Sequence, residues 1–235
     1  MKKYLVFLLI FNLFISYSCA EEEIFFNTGN KNRKSVALTF DDGPHPKETL
    51  EILDILKKYD IKATFFVTGK HVNWYREPLL RAIEEGHEIA NHTFSHSNIG
   101  ELSSSQIEEE LLKCEDALKE IGAKKPTLFR PPFGNYNKDT LECIAIKYGY
   151  KIILWATTFD VMDWKNPSAS EIAQTIINES QNGDIILLHD YGTKNTPEAL
   201  EILIPQMIEK GFNFEIVSDI IKEEKEDVQI EKIIN

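Results

Sequence analysis

The feature that most restricts the fold of this chain is an alternation. Short apolar runs, each closed by polar or turn residues, are separated by stretches whose apolar side chains recur at helical spacing. Periodicity predicts strands over 35–40, 63–68, 87–91, 127–130, 151–157, 184–189 and 213–217, and helices over 46–59, 74–85, 103–121, 138–148, 168–180 and 197–210. Strands that alternate with helices form βαβ units on a parallel sheet, which places the chain in the α/β class. About seven such pairs within roughly 185 residues favour a distorted (β/α) barrel of about seven parallel strands over an open doubly wound sheet. No glycine-rich phosphate loop follows the first strand, which counts against a nucleotide-binding version of the open sheet. One catalytic domain over 35–220 is expected, with a charged tail over 221–235.

The N-terminus stands apart from this pattern. Lys2 and Lys3 precede an apolar run from Tyr4 to Ile15, and small Ser18 and Ala20 suit cleavage before Glu21. Residues 1–20 therefore read as a signal peptide and 21–34 as a polar linker. Cys19 adds a second option, a lipid tether, although Ser16 and Tyr17 fit a lipoprotein signal poorly. The chain is expected to be exported to the periplasm, the cell surface or the medium, without a transmembrane span in its mature form, and to act as a monomer. Cys114 and Cys143 have no metal-ligand spacing and read as two buried thiols. A net charge of −12 argues against nucleic acid as a partner, because phosphate binding needs clustered Lys and Arg.

In barrels of this kind, chemistry gathers at the C-terminal ends of the strands. The polar clusters fall there: Asp41-Asp42 after the first strand, His92 and His96 after the third, Arg130 at the end of the fourth, Asp160 and Asp163 after the fifth, and His189-Asp190 after the sixth. His-x3-His alone is a weak metal signal, and Asp-Gly-Pro alone is ordinary turn chemistry. Together, two imidazoles and one carboxylate from separate strand ends make a site that keeps coordination positions open for water and substrate. Of two adjacent aspartates, one can hold the ion while its neighbour takes a proton from water, and Arg130 would keep that base ionised. Asp160 or Asp163 could orient His189 and favour its charged form, which a leaving amine needs as proton donor. Phe133 and Trp164 are candidate walls of a sugar groove.

Five ordered motifs sharpen this picture: Thr39-Phe40-Asp41-Asp42-Gly43-Pro44, His92-Thr93-Phe94-Ser95-His96, Arg130-Pro131-Pro132-Phe133-Gly134, Asp160-Val161-Met162-Asp163-Trp164 and Leu187-Leu188-His189. From about Ser35 to Ile220 the chain resembles the polysaccharide deacetylase family, the NodB-type group of carbohydrate esterase family 4. The resemblance implies a distorted barrel with fewer than eight repeats, an N-acetylated polysaccharide substrate and a bound divalent metal, zinc first and cobalt as an alternative. Carried over motif by motif, it implies Asp41 as base, Asp42, His92 and His96 as metal ligands, and Arg130 as the residue orienting Asp41. Phe133 would line the groove and lend its backbone N–H to the oxyanion, Asp163 would tune His189 as acid, and Trp164 and Leu187 would shape the acetyl pocket. One departure stands out: Trp155 lies five residues before Asp160, farther than is usual in the family, which implies a longer loop and makes Asp163 the better partner. Export and the lack of room for a binding module point to peptidoglycan as substrate, with chitooligosaccharides or acetylated xylan as alternatives. A catalytically inactive carbohydrate-binding chain would need a broken motif, and none of the five is broken.

Overall fold

The computed structural model describes residues 24–157 and 161–222. The expected signal peptide, Cys19, Asp160 and most of the charged tail lie outside the described residues. In chain order the elements are β1 (Phe25–Phe26), β2 (Ser35–Asp41), α1 (Glu48–Lys58), β3 (Thr64–Val67), α2 (Gly69–Trp74), α3 (Arg76–Glu84), β4 (Glu88–Asn91) and α4 (Ser104–Glu120). They continue as β5 (Leu128–Phe129), α5 (Lys138–Tyr148), β6 (Lys151–Ile153), α6 (Ala169–Glu179), β7 (Ile185–His189), α7 (Thr196–Glu209), β8 (Asn213–Phe214) and α8 (Val217–Ile220). The strands pair in parallel in the order β1-β6-β5-β4-β3-β2-β7, with β8 added beside the start of β2. Every strand expected from periodicity is present.

The sheet curls into a distorted barrel whose seam lies between β6 and β7. Ala156 N–H donates to Ile185 O across it (3.0 Å), and Thr28 forms an antiparallel bridge to Asp184. The segment expected to be a polar linker thus contributes β1 and part of this seam. Gly29 is needed there because a Cβ would lie 2.4 Å from Ile220 O.

β2 is buried on both faces, as a central parallel strand should be. Val36, Leu38 and Phe40 pack toward the helices, whereas Ala37 joins Phe66, Ala90 and Ile185 in a second cluster within the barrel. Val217 and Ile220 of α8 close the floor of that cluster. Fully burying each such Leu, Ile or Phe contributes about 1.5–3 kcal/mol, which makes the barrel a stiff platform. Alternation along β2 then carries Thr39 and Asp41 into the barrel mouth.

Several local expectations are corrected. The helix expected over 74–85 starts at Arg76 as α3, and Trp74 instead ends a separate, unexpected helix, α2, with the break at Tyr75 (φ −133°, ψ 67°). Pro78 explains the break, since proline is accepted in the first turn of α3 but would clash inside a continuous helix. The strand expected over 213–217 gives way to α8 at Val217. Cys114 is buried as expected, but Cys143 is exposed, on the side of α5 opposite buried Leu141, Ile144 and Ala145. No helix among the described residues is long and apolar enough to cross a membrane.

Candidate active site

Strand register brings the candidate residues together. Asp41 and His189 are direct partners at the C-terminal ends of adjacent β2 and β7, and Asn91 at the end of β4 pairs with Phe129, one residue before Arg130. A cleft of about 410 Å³ opens above these ends. Asp41, Asp42, His92, His96 and His189 form its polar floor, and Phe133, Trp164 and Leu187 line its sides with Trp155 and Pro131. Phe133 and Trp164 stay 66% and 54% exposed, a placement that suits stacking on a sugar better than filling a core.

Asp42, His92 and His96 present one ligand atom each within 4.8 Å of one another. His96 Nε2 lies 3.0 Å and His92 Nε2 3.4 Å from the same Asp42 oxygen. His92 Nδ1 is 2.9 Å from Arg130 O, which fixes the hydrogen on Nδ1 and leaves the Nε2 lone pair facing the triad. Asp42 Oδ1 is buried without a hydrogen-bond donor assigned to it. An orphaned carboxylate oxygen facing an imidazole lone pair is the arrangement that a divalent cation satisfies, so this donor set fits a catalytic metal. Burial opposes ionisation of Asp42, but His92 and His96 outweigh it and hold the carboxyl well below the usual carboxylate range. Burial likewise disfavours the charged form of His96, yet contact with Asp42 raises its pKa.

Asp42 adopts φ 78°, and its carbonyl is fixed by His71 Nδ1 (2.6 Å) and Thr68 Oγ1 (3.2 Å). The His71 ring stacks on Tyr191 at 4.0 Å between centroids. Behind the next residue, Gly43 N–H donates to the buried Asp190 carboxyl (2.9 Å), and a Cβ on Gly43 would lie 2.2 Å from that carboxyl. Burial pushes Asp190 up to about 7, with the nearby Asp42 and Asp41 charges adding to it.

Arg130 and Asp163 are buried behind the floor and act through their neighbours. Arg130 is 0% exposed and donates from Nη1 to Asp41 Oδ1 (2.7 Å) and Thr39 Oγ1 (2.8 Å), and from Nη2 to Leu154 O (3.0 Å). Its guanidinium rests 4.0 Å from the centre of the Phe66 ring. Asp163 accepts the His189 ring nitrogen Nδ1–H (2.7 Å), the His189 backbone N–H (2.9 Å) and the Thr196 hydroxyl (2.8 Å). Burial lowers the His189 pKa, but the bond and charge of Asp163 overcome it and raise the imidazole to about 9. The Asp163 carboxylate therefore favours the charged form of His189, whose Nε2–H is the proton available to the cleft.

The ten described residues among those singled out from the sequence thus meet at one centre, eight lining the cleft and two behind it, while Asp160 lies outside the described residues. The sequence marks Trp155 only as a departure and gives Asp190 a place beside His189 without a role, whereas His71, Asn91 and Glu110 carry no such signal. Trp155 enters the cleft from the irregular stretch after β6, where its ring would meet a Cβ on Gly134 at 2.8 Å.

A family profile described as polysaccharide deacetylase matches residues 28–153. The chain belongs to the polysaccharide deacetylase family. It is accordingly a hydrolase of the class that acts on carbon–nitrogen bonds other than peptide bonds. It is 38% identical over 195 residues to a peptidoglycan-N-acetylglucosamine deacetylase of Bacillus cereus, covering 81% of this chain and 90% of that one. Among solved structures, the Bc1960 peptidoglycan N-acetylglucosamine deacetylase in complex with an N-hydroxybenzamide superposes with a TM-score of 0.82 at 32% identity, over 89% of this chain and 98% of that one. A pseudoenzyme of carbohydrate esterase family 4 from Bacillus anthracis superposes with a TM-score of 0.78 at 30% identity, over 85% and 69% of the two chains.

Proposed function

We propose that this chain is a metal-dependent deacetylase that removes N-acetyl groups from N-acetylglucosamine units of peptidoglycan. The observation that carries this reading is the placement of Asp41 and His189 as partners across β2 and β7, beside the Asp42, His92 and His96 triad. Base, acid and cation site then surround one point in the cleft.

A divalent cation held by Asp42, His92 and His96, zinc first and cobalt as substitute, supplies Lewis acidity that polarises a carbonyl and lowers the pKa of water. Asp41, oriented by Arg130 on its Oδ1, accepts the proton of the attacking water through its other oxygen. The water oxygen bonds to the acetyl carbon, and the backbone N–H of Phe133 donates to the oxyanion that develops. His189, charged and fixed by Asp163, gives its Nε2 proton to the sugar nitrogen as the C–N bond breaks. Acetate and a free amino sugar result. Trp164 and Leu187 bound the space for the acetyl methyl, and Phe133 packs edge-on to His96 (4.6 Å between centroids) while its outer face offers a surface for a sugar ring.

The peptidoglycan assignment is supported by the peptidoglycan-N-acetylglucosamine deacetylases among the similar proteins and by the reading of residues 1–20 as an export signal. An acid as basic as His189 suits an amine leaving group better than the alcohol of an O-acetyl ester. We place the mature chain in the cell envelope as a monomer, with a lipid tether through Cys19 as the variant form, and take residues 35–220, extended by the β1 segment that completes the barrel, as the catalytic domain. A pseudoenzyme among the structural neighbours makes an inactive chain the rival reading. The full set of base, ligands and acid in one cleft favours activity. Incubating the mature chain with glycan strands, chitin oligomers and acetylated xylan tests the substrate. Acetate and free amines should appear from glycan strands, with little release from xylan; the reverse preference would overturn the substrate assignment.

A further inference from the structure

The loop from His92 to His96 turns twice through the left-handed region on residues other than glycine, Thr93 at φ 68° and His96 at φ 60°. L-residues enter that region against steric resistance and stay there only where their surroundings over-determine them. The restraint comes from α4, which lies outside the cleft. Glu110 Oε2 accepts the backbone N–H groups of Phe94 (3.0 Å) and Ser95 (2.8 Å), and its Oε1 accepts the Ser95 hydroxyl (2.9 Å). One residue on, Leu111 O accepts Asn91 Nδ2 (3.1 Å), and Asn91 Oδ1 accepts Thr93 N–H (2.8 Å). Three loop donors therefore converge on one carboxylate. Bonds to an ionised acceptor are roughly twice as strong as neutral ones, and consecutive backbone N–H groups form a concavity suited to an anion.

We propose that Glu110 is a positioning residue of the metal centre: by clamping Phe94 and Ser95 it sets the separation and direction of the two imidazoles, and so the affinity for the cation, without touching cation or substrate. This rests on the reading that Asp42, His92 and His96 hold the cation. Neither Glu110 nor Ser95 lines the cleft, so their effect reaches the chemistry only through the loop.

The test is the zinc dissociation constant of the folded chain, measured by chelator competition, together with the melting temperature of the metal-free form. Glu110→Ala should bind zinc about 10–100-fold more weakly, the usual cost of losing a group that orients metal ligands. Glu110→Gln keeps one acceptor oxygen and should fall between Glu110→Ala and the native chain. Ser95→Ala loses the hydroxyl bonds to Oε1 and to Ser97 (2.8 Å) but keeps both backbone bonds to Oε2, and should weaken binding less than either. Glu109→Ala is the control, because that exposed carboxylate pairs with Lys113 (2.6 Å) on the same helix and touches no loop donor; native affinity is expected. In zinc-saturated Glu110→Ala, KM for an oligosaccharide should be unchanged. A folded Glu110→Ala chain with native zinc affinity and only a lowered melting temperature would overturn the proposal. If that variant does not fold, native affinity in Glu110→Gln overturns it equally. A native chain that binds no zinc would instead overturn the metal-site reading itself.

Discussion

The protonation of His189 depends on one carboxylate, so Asp163→Asn isolates it. The native environment raises the imidazole from 6.5 to about 9, which at 1.36 kcal/mol per pH unit is about 3 kcal/mol of preference for the charged form. The substitution removes the charge while its amide oxygen still accepts one hydrogen bond. Burial, the largest opposing influence on His189, is left unbalanced, and the ring should titrate at or below its ordinary value. At pH 8 the protonated fraction would fall from at most about 0.9 to about 0.03, a loss of up to about 30-fold in any step that needs the acid. A cation beside Asp41 and Asp42 offsets the smaller contributions of those two residues, so the native alkaline limb should lie between 6.5 and about 9. The limb of the variant should lie about one to two pH units lower. The assay is kcat/KM against pH for an N-acetylated oligosaccharide, with an activated acetyl ester as a control that needs little protonation of its leaving group. The same pair has a stability signature. A raised imidazole pKa stabilises the fold fully below pH 6.5 and loses that contribution as pH rises through about 9, so native chain and variant should differ most at acid pH and converge above 9. An alkaline limb that does not move in Asp163→Asn would refute the assignment of Asp163 as the residue that keeps His189 charged.

Further outcomes are expected of the same centre. Arg130→Met would leave the Asp41 carboxylate buried without its partner, and denaturant titration should show a loss of about 3–5 kcal/mol. Asp41→Asn should retain stoichiometric zinc by elemental analysis while turnover falls about 10²–10⁴-fold, whereas Asp42→Asn, His92→Ala and His96→Ala should lose the metal; zinc lost from Asp41→Asn alone would exchange the roles of the two aspartates. Phe133→Ala removes an exposed ring and should raise KM for oligosaccharides while leaving the melting temperature nearly unchanged.

Much of this centre was legible in the sequence because strand ends are marked by chemistry. The apolar run ending at Asp41-Asp42, the run ending at His189 and the His92-to-His96 spacing each sit where a parallel barrel exposes its loops. What escaped notice is held by partners far apart in the chain. His71 meets the Asp42 carbonyl 29 residues away, and Asn91 meets the Tyr150 hydroxyl across 59. Neither spacing leaves a periodic trace. β1 was missed for a different reason: two phenylalanines are too short a run to show alternation, and their strand exists only because β6 offers an unpaired edge. The break before α3 could have been read from Pro78, which sits at the third position of a new helix and not within an old one. The roles of Asp160 and the first 20 residues stay as expectations from the sequence, since they lie outside the described residues.

The central claim is that hydrolysis in this cleft requires a cation on Asp42, His92 and His96. The most direct measurement is acetate release from peptidoglycan glycan strands by the mature chain, first stripped with a chelator and then resupplied with zinc or cobalt, with bound metal counted in each sample. Release should stop in the stripped protein and return in proportion to the metal bound, up to one ion per chain. Full turnover by a chain holding no metal would contradict the account.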